Sequence, residues 1–417
     1  MPKLLCLSNG HGEDQIAVSI LQALQPDVQP TQLAALPLVG EGLAYQRINI
    51  SLLSPGQRMP SGGFIYMDGK ELAKDIQHGL LQLLHQQWRA VKRWGQEGGN
   101  ILAVGDIVPL LLAWQSGSDY AFVGTFKSEY YLRDQTGPLP QPGLKKYWQG
   151  WAGSDYLPWE RWLMARPHCR GVFPRDRLTA ETLQKLQIPA YDFGNPMMDG
   201  LTPRIPIVWP DLHPLTLLLL PGSRPPEAYA NWRQIVQAIA SLLTGEPTLF
   251  LAAIAPGLDL TLLVQTLSAQ GWQQVDQQHQ PLPWPELGGV CFRQAQAQLC
   301  LTQTAFQECL HLADLAIAMA GTATEQFVGL GKPAISMPGA GPQFTPVFAE
   351  RQAQLLGPSI TLLEQPTQLP AAIASLQDAD RLNLIRANGR RRMGPAGAAQ
   401  RIADLLLSQG FCSSDPD

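Results

Sequence analysis

A chain of 417 residues, 45% apolar and 15% charged, is too long for one hydrophobic core and predicts two domains. A formal net charge of −4 excludes the broad basic field of a nucleic-acid-binding chain, so no nucleic-acid partner is expected. The six cysteines, Cys6, Cys169, Cys291, Cys300, Cys309 and Cys412, include no CxxC pair; they read as thiols of a reducing compartment, not a disulfide framework or a zinc site.

In chain order, apolar runs and helical patterns alternate, which predicts parallel sheets covered by helices. Leu4–Ser8 reads as a first strand, too short for the apolar stretch of a secretory signal. Residues 14–24 follow as a helix. Residues 70–94 read as a long helix with Leu72, Ile76, Leu80, Leu83 and Leu84 at its apolar positions. Buried strands are expected at 101–104 and 120–123, around a helix at 108–114. The proline-rich segment from Asn195 to Pro214 reads as a linker. A second series opens with strand Leu215–Leu220. Helices are expected at 228–243 and 258–269 with a strand at 248–252 between them, then strands at 290–293 and Leu315–Ala318. Helices at 346–355, 378–391 and 398–407 close the chain before a frayed tail.

The expected class is therefore α/β. It has a Rossmann-like domain at 1–194, a linker at 195–214, a second Rossmann-like domain at 215–395, and a C-terminal helix and tail at 396–417 that packs back on the first. Ligands bind such sheets at the C-terminal ends of the strands, which places the expected site in a cleft between the domains. No run approaches the roughly 18 apolar residues of a membrane span. The expected location is cytoplasmic, with peripheral contact at the membrane face left open.

Three loops carry the candidate chemistry. Met319-Ala320-Gly321-Thr322-Ala323-Thr324-Glu325 reads as the end of a strand, a glycine turn and a helix start. The first N–H groups of a helix lack internal partners and its dipole favours negative charge, so Gly321, Thr322, Ala323 and Thr324 can hold a diphosphate. Glu325 either accepts two hydrogen bonds from a ribose diol or caps its helix. In Pro221-Gly222-Ser223-Arg224, Gly222 permits close backbone approach and Ser223 can bond a phosphate oxygen. Arg224 either offers a bidentate fork or pairs with Glu227. Together these loops point to a nucleotide-sugar. Asn195 reads equally as a ligand contact or a turn residue, and Gln343 as a sugar contact or part of a glycine-proline loop.

The third loop, Ser8-Asn9-Gly10-His11-Gly12-Glu13-Asp14, sets a histidine and two carboxylates at the end of the first strand. His11 has the ordinary pKa of a general base. Glu13 or Asp14 orients it or acts as base itself; otherwise Asp14 caps the helix and His11 is a surface residue. Asp106, after the strand at 101–104, is the alternative base. His78 and His85 read as surface or packing residues. Lys145-Lys146-Tyr147-Trp148-Gln149-Gly150-Trp151, with Trp159 and Trp162, suits either a membrane interface or a domain core. Nothing has the ligand spacing of a metal site, so neither metal nor cofactor is expected.

Leu218-Leu219-Leu220-Pro221-Gly222-Ser223-Arg224 resembles the LLPGSR segment of the lipid-A-disaccharide synthases. Ala320-Gly321-Thr322-Ala323-Thr324-Glu325 resembles their SGTATLE segment. Gly194-Asn195-Pro196-Met197-Met198-Asp199 resembles their GHPMAD segment, with Asn195 in place of His. The Gly-Asn-Pro is also similar to a motif of the peptidoglycan N-acetylglucosaminyltransferase that forms lipid II. The resemblance covers mainly residues 190–400. It implies a GT-B glycosyltransferase: two Rossmann-like parallel-sheet domains facing across a cleft, a UDP-sugar on the C-terminal domain, a lipid or lipid-linked acceptor on the N-terminal domain, and no required metal. In the synthases the first loop looks like GETSGD and lacks a histidine. Related lipid galactosyltransferases and the lipid II-forming enzyme carry one. The expected activity is inverting transfer of an N-acetylglucosamine-type or other hexose. A UDP-N-acetylglucosamine 2-epimerase-like enzyme and a non-catalytic nucleotide-sugar-binding protein are the alternatives.

Overall fold

The computed structural model describes residues 3–10, 12–54, 80–139, 153–206, 214–243, 245–275, 284, 287–341, 343–376 and 378–412. His11, His78, the stretch at 145–151, the first part of the expected long helix (70–79), the middle of the expected linker (207–213) and the tail at 413–417 lie outside the described residues. The chain divides into two compact units, Met1–Asp199 with Gly394–Asp417, and Gly200–Met393.

The first unit is built on strands β1 (Leu4–Ser8), β2 (Leu33–Pro37), β3 (Ser51–Leu52), β4 (Asn100–Gly105) and β5 (Tyr120–Gly124). A small hairpin, β6 (Arg133–Asp134) and β7 (Gly137–Pro138), precedes the last strand, β8 (Cys169–Pro174). The sheet order is β3-β2-β1-β4-β5-β8, parallel throughout. Strands such as Leu4–Ser8 and Tyr120–Gly124 are buried at every residue. They read as continuous apolar runs because helices cover both faces. Helices α1 (Gly12–Leu24), α2 (Leu43–Arg47), α3 (Leu80–Gln96), α4 (Ile107–Gln115), α5 (Pro158–Met164) and α6 (Arg177–Lys185) supply that cover. Ile16, Ile20 and Leu24 of α1 lie in one core with Ile402 and Leu406 of the C-terminal helix (Ala398–Ser408). Val91, Leu110, Leu163 and Leu183 fill the core of the other face.

The expected linker is corrected here. Asn195–Asp199 belongs to the first unit, because the Asp199 carboxylate accepts N–H bonds from Gly397, Ala398 and Ala399 and so caps the C-terminal helix. The boundary falls at Gly200, and again at Gly394.

The second unit contains β9 (Leu215–Leu220), β10 (Thr248–Ala253), β11 (Gln273–Val275), β12 (Val290–Gln294), β13 (Ala297–Thr302), β14 (Leu315–Ala318), β15 (Ala334–Ser336) and β16 (Ile360–Leu362). Their order is β11-β12-β13-β10-β9-β14-β15-β16. From β13 to β16 the sheet is parallel. The β11 and β12 edge is antiparallel. Only Ala295 and Gln296 separate β12 from β13, and so short a link joins antiparallel strands only. Helices α7 (Glu227–Ile239), α8 (Leu260–Ala269), α9 (Phe306–Leu312), α10 (Thr322–Gly329), α11 (Pro346–Leu356), α12 (Leu369–Ser375) and α13 (Ala379–Met393) cover this sheet. Trp232, Phe250, Phe292 and Ile317 lie at its centre, each fully buried.

Candidate functional sites on the two units

Each sheet has one place where the strand order reverses. In the first unit it lies between β1 and β4, which pair along their length. In the second it lies between β9 and β14. Helices leave opposite faces there and open a crevice at the strand ends. The loops singled out from the sequence follow these four strands.

On the first unit, Asp106 leaves β4 and caps α4, accepting the Val108 N–H at 2.8 Å. The turn before it, Gly105, has φ +137, and a Cβ there would meet the Asn9 side chain at 2.4 Å; glycine is required for Asn9 to reach over and hydrogen-bond Asp106. Glu13 sits in the first turn of α1 and accepts a bond from the Thr125 hydroxyl at 3.3 Å. Burial pushes the Glu13 carboxyl from 4.5 up to about 7; the Asp106 charge adds to the rise, while hydrogen bonds oppose it. Burial also raises Asp106, against its bonds from Val108 and Asn9. Glu13, whose ionisation burial and the Asp106 charge both oppose, can accept and return a proton near neutrality at a strand switch point.

Asp14 does not join them. It is 5% exposed and accepts the Ser8 hydroxyl at 2.6 Å, while Tyr45 donates to the Ser8 oxygen at 2.6 Å. The side chain therefore points into the core, and its expected role as orienter or base is replaced by a buried hydrogen-bond network.

Sequence reading missed the residues after β5. Thr125 donates to Glu13, and Lys127 pairs with the buried Glu160 at 2.5 Å. Glu160 also accepts the Leu157 N–H at the start of α5. Glu160 raises Asp106 and Lys127 lowers it, opposing effects smaller than that of burial. A Gly-Thr after a buried strand, in the position Gly-Asp holds after β4, was the available signal.

On the second unit, Gly222 has φ +97 and lies against the Met319 carbonyl, so the loops after β9 and β14 touch. Asn231 of α7, 2% exposed, ties them by donating to the Pro221 carbonyl at 3.0 Å and the Met319 carbonyl at 3.4 Å. Ser223 is exposed and Arg224 partly so. Gln352 of α11 donates to the carbonyls of Ala320 and Gly321. That fixes the turn whose next N–H groups, Thr322 and Ala323, begin α10 without intrahelical acceptors. Thr322 is exposed, Ala323 is partly exposed, and Glu325 lies 8% exposed in the same first turn.

Three expectations change. Thr324 is fully buried and its hydroxyl donates to the Ala320 carbonyl at 2.6 Å, so it braces the helix start rather than facing a ligand. Glu227 is buried and accepts the Phe344 N–H at 2.5 Å and the Gln343 N–H at 3.3 Å; it anchors the loop holding Gln343 instead of making a surface pair with Arg224. Asn195 is 2% exposed, belongs to the first unit, and accepts the Met197 N–H at 3.1 Å. Its side chain holds a turn there.

Among the described residues, no group of three or more His, Cys, Asp and Glu side chains is arranged to hold a metal. None of the described helices is long and apolar enough to cross a membrane.

No protein-family model matches the sequence. No curated protein matches it either. Solved structures do match in fold. The MurG structure of Acinetobacter baumannii aligns over 97% of this chain and 99% of its own, with a TM-score of 0.55 and 13% identity. The UDP-GlcNAc 2-epimerase of Neisseria meningitidis, solved bound to UDP-GlcNAc, aligns over 97% and 100%, with a TM-score of 0.53 and 12% identity. CalG4, the calicheamicin glycosyltransferase, aligns over 97% and 98%, with a TM-score of 0.53 and 15% identity. At these identities the likeness is one of fold: two Rossmann-like domains of the GT-B class.

Proposed function

We propose that this GT-B chain is a glycosyltransferase that moves a hexose from a UDP-sugar to a lipid-linked acceptor, with inversion and without a metal. The observation that carries the reading is the pairing, at the switch point of the second unit, of the Gly222–Ser223–Arg224 loop with the N-terminus of α10. There the N–H groups of Thr322 and Ala323, the Ser223 hydroxyl and the Arg224 guanidinium stabilise the departing diphosphate, and Glu325 accepts the ribose diol. Gln343 contacts the sugar. On the first unit Glu13 removes the proton of the acceptor hydroxyl as that oxygen attacks the anomeric carbon, a task matched by a carboxyl at about 7. His11, in the same loop, is the competing base. Trp159 and Trp162 on α5, 54% and 45% exposed, support contact of this unit with a lipid surface. One of the matched structures holds UDP-GlcNAc and another is a glycosyltransferase, which supports the donor class.

The Glu13 and Asp106 pair also favours a second reading, epimerisation, which likewise needs groups that take and return a proton. Incubation with UDP-hexoses, with and without a lipid extract, separates the two. Transfer yields UDP and a glycosylated lipid only when acceptor is present. An isomerised UDP-sugar formed without acceptor would establish the epimerase, and binding with neither product would leave a non-catalytic protein.

A further inference from the structure

The antiparallel hairpin of the second unit holds a feature outside the nucleotide site. Cys291 on β12 and Cys300 on β13 are direct cross-strand partners. Their sulfurs lie 3.2 Å apart, and both side chains are fully buried. Counting back from the two-residue turn, the closing pair Gln294 and Ala297 is followed by Arg293 with Gln298, Phe292 with Leu299, and then Cys291 with Cys300. Alternation from a hydrogen-bonded closing pair makes this a non-hydrogen-bonded pair, the kind in which opposite Cα atoms come closest, about 4.5 Å. That separation is inside the range a disulfide spans. We propose that Cys291 and Cys300 are a reversible dithiol–disulfide pair, closed by a small-molecule disulfide such as oxidised glutathione.

The chemistry balances as two exchanges. The Cys291 thiolate attacks one sulfur of the small disulfide, giving a mixed disulfide and one released thiol. The Cys300 sulfur then attacks Cys291, closing the protein bridge and releasing the second thiol. The two cysteines are oxidised, the small disulfide is reduced, and both cysteine protons leave with the released thiols. Cys291 is the first nucleophile because the Cys300 S–H stabilises its thiolate and holds it below the ordinary value, whereas Cys300 is pushed up by the same contact and by burial. The Gln298 amide lies beside both sulfurs, nearer Cys300 at 3.5 Å. Access comes at the sheet edge. There β11 covers β12 over only three residues, and its last, Val275, is the partner of Cys291. So short an edge strand opens locally at low cost.

The test treats the folded full-length chain with oxidised glutathione, quenches it, alkylates it in denaturant and digests it with trypsin. Cleavage after Arg293 separates the two cysteines, so a bridge appears as two linked peptides. The expected result is loss of two of the six free thiols, a Cys291–Cys300 link that dithiothreitol reverses, and the same link in Cys309→Ser. Six alkylated thiols after treatment of the folded wild type, or a link made through Cys309 instead, would overturn the proposal. Absence of the link from both Cys291→Ser and Cys300→Ser completes the expected pattern; a two-thiol loss surviving in either variant also sinks it.

Discussion

Replacing Glu13 by glutamine removes a carboxyl that the fold holds at about 7 instead of 4.5. Between those values the unfolded chain has lost this proton and the folded chain keeps it. Stability from this group is therefore fully present below pH 4.5 and is lost as pH rises through about 7. At roughly 1.4 kcal/mol per pH unit, ionising the buried group weakens the fold by on the order of 3 kcal/mol. Glu13 is partly exposed, so solvent reduces this to about 1–3 kcal/mol. Glutamine keeps an oxygen to accept the Thr125 hydroxyl and carries no charge to desolvate. Glu13→Gln should thus be more stable than wild type by about 1–3 kcal/mol at pH 8 and equal to it at pH 4. Urea unfolding followed by tryptophan fluorescence at pH 4, 6 and 8 measures the difference. Activity should move the other way. Wild-type turnover should rise with pH through about 7, and the variant should lose about 10²–10⁴ in rate, since a general base is worth that much. UDP affinity should not change, because the donor loops belong to the other unit. A stability difference that does not vary with pH would refute the buried-carboxyl account. Near-normal turnover would pass the base role to His11 or Asp106.

Arg224→Ala and Glu325→Ala should each weaken UDP binding by about 1.5–3 kcal/mol, the worth of a charge-assisted hydrogen bond; calorimetric titration at wild-type affinity in both would remove the donor site. Glu227→Ala leaves the Gln343 and Phe344 N–H groups without their acceptor and should cost about 1–3 kcal/mol, read as a lower melting temperature. Asp14→Ala should lower the melting temperature by a similar mechanism, because the buried Ser8 hydroxyl loses its acceptor, while the folded fraction keeps its turnover. Transfer should survive EDTA, because the helix start and Arg224 carry the leaving-group charge; loss on chelation with recovery specific to magnesium or manganese would contradict that.

The strand–loop–helix units that carry the site were legible one at a time. Leu215–Leu220 and Leu315–Ala318 are unbroken apolar runs because parallel strands are buried on both faces, and each run ends in a glycine loop. Gly222, Arg224, Thr322, Glu325, Glu13 and Asp106 could be picked out as strand-end residues on that ground alone. Less regular strands escaped, such as β8, where Arg170 and Gly171 interrupt the apolar pattern, and β13, which joins an antiparallel hairpin to the parallel sheet. Side-chain direction was invisible as well. Glu13 and Asp14 are neighbours with the same charge, yet adjacent positions on a helix face different ways, so one meets Thr125 and the other the Ser8 and Tyr45 core. Asn195 and Thr324 look like ligand residues until packing turns them inward. Local pattern determines which segments become strands and where their loops begin. Strand order, burial and proton affinity are decided only when distant segments pack, because desolvation and the field at a carboxyl depend on neighbours that the chain brings from elsewhere.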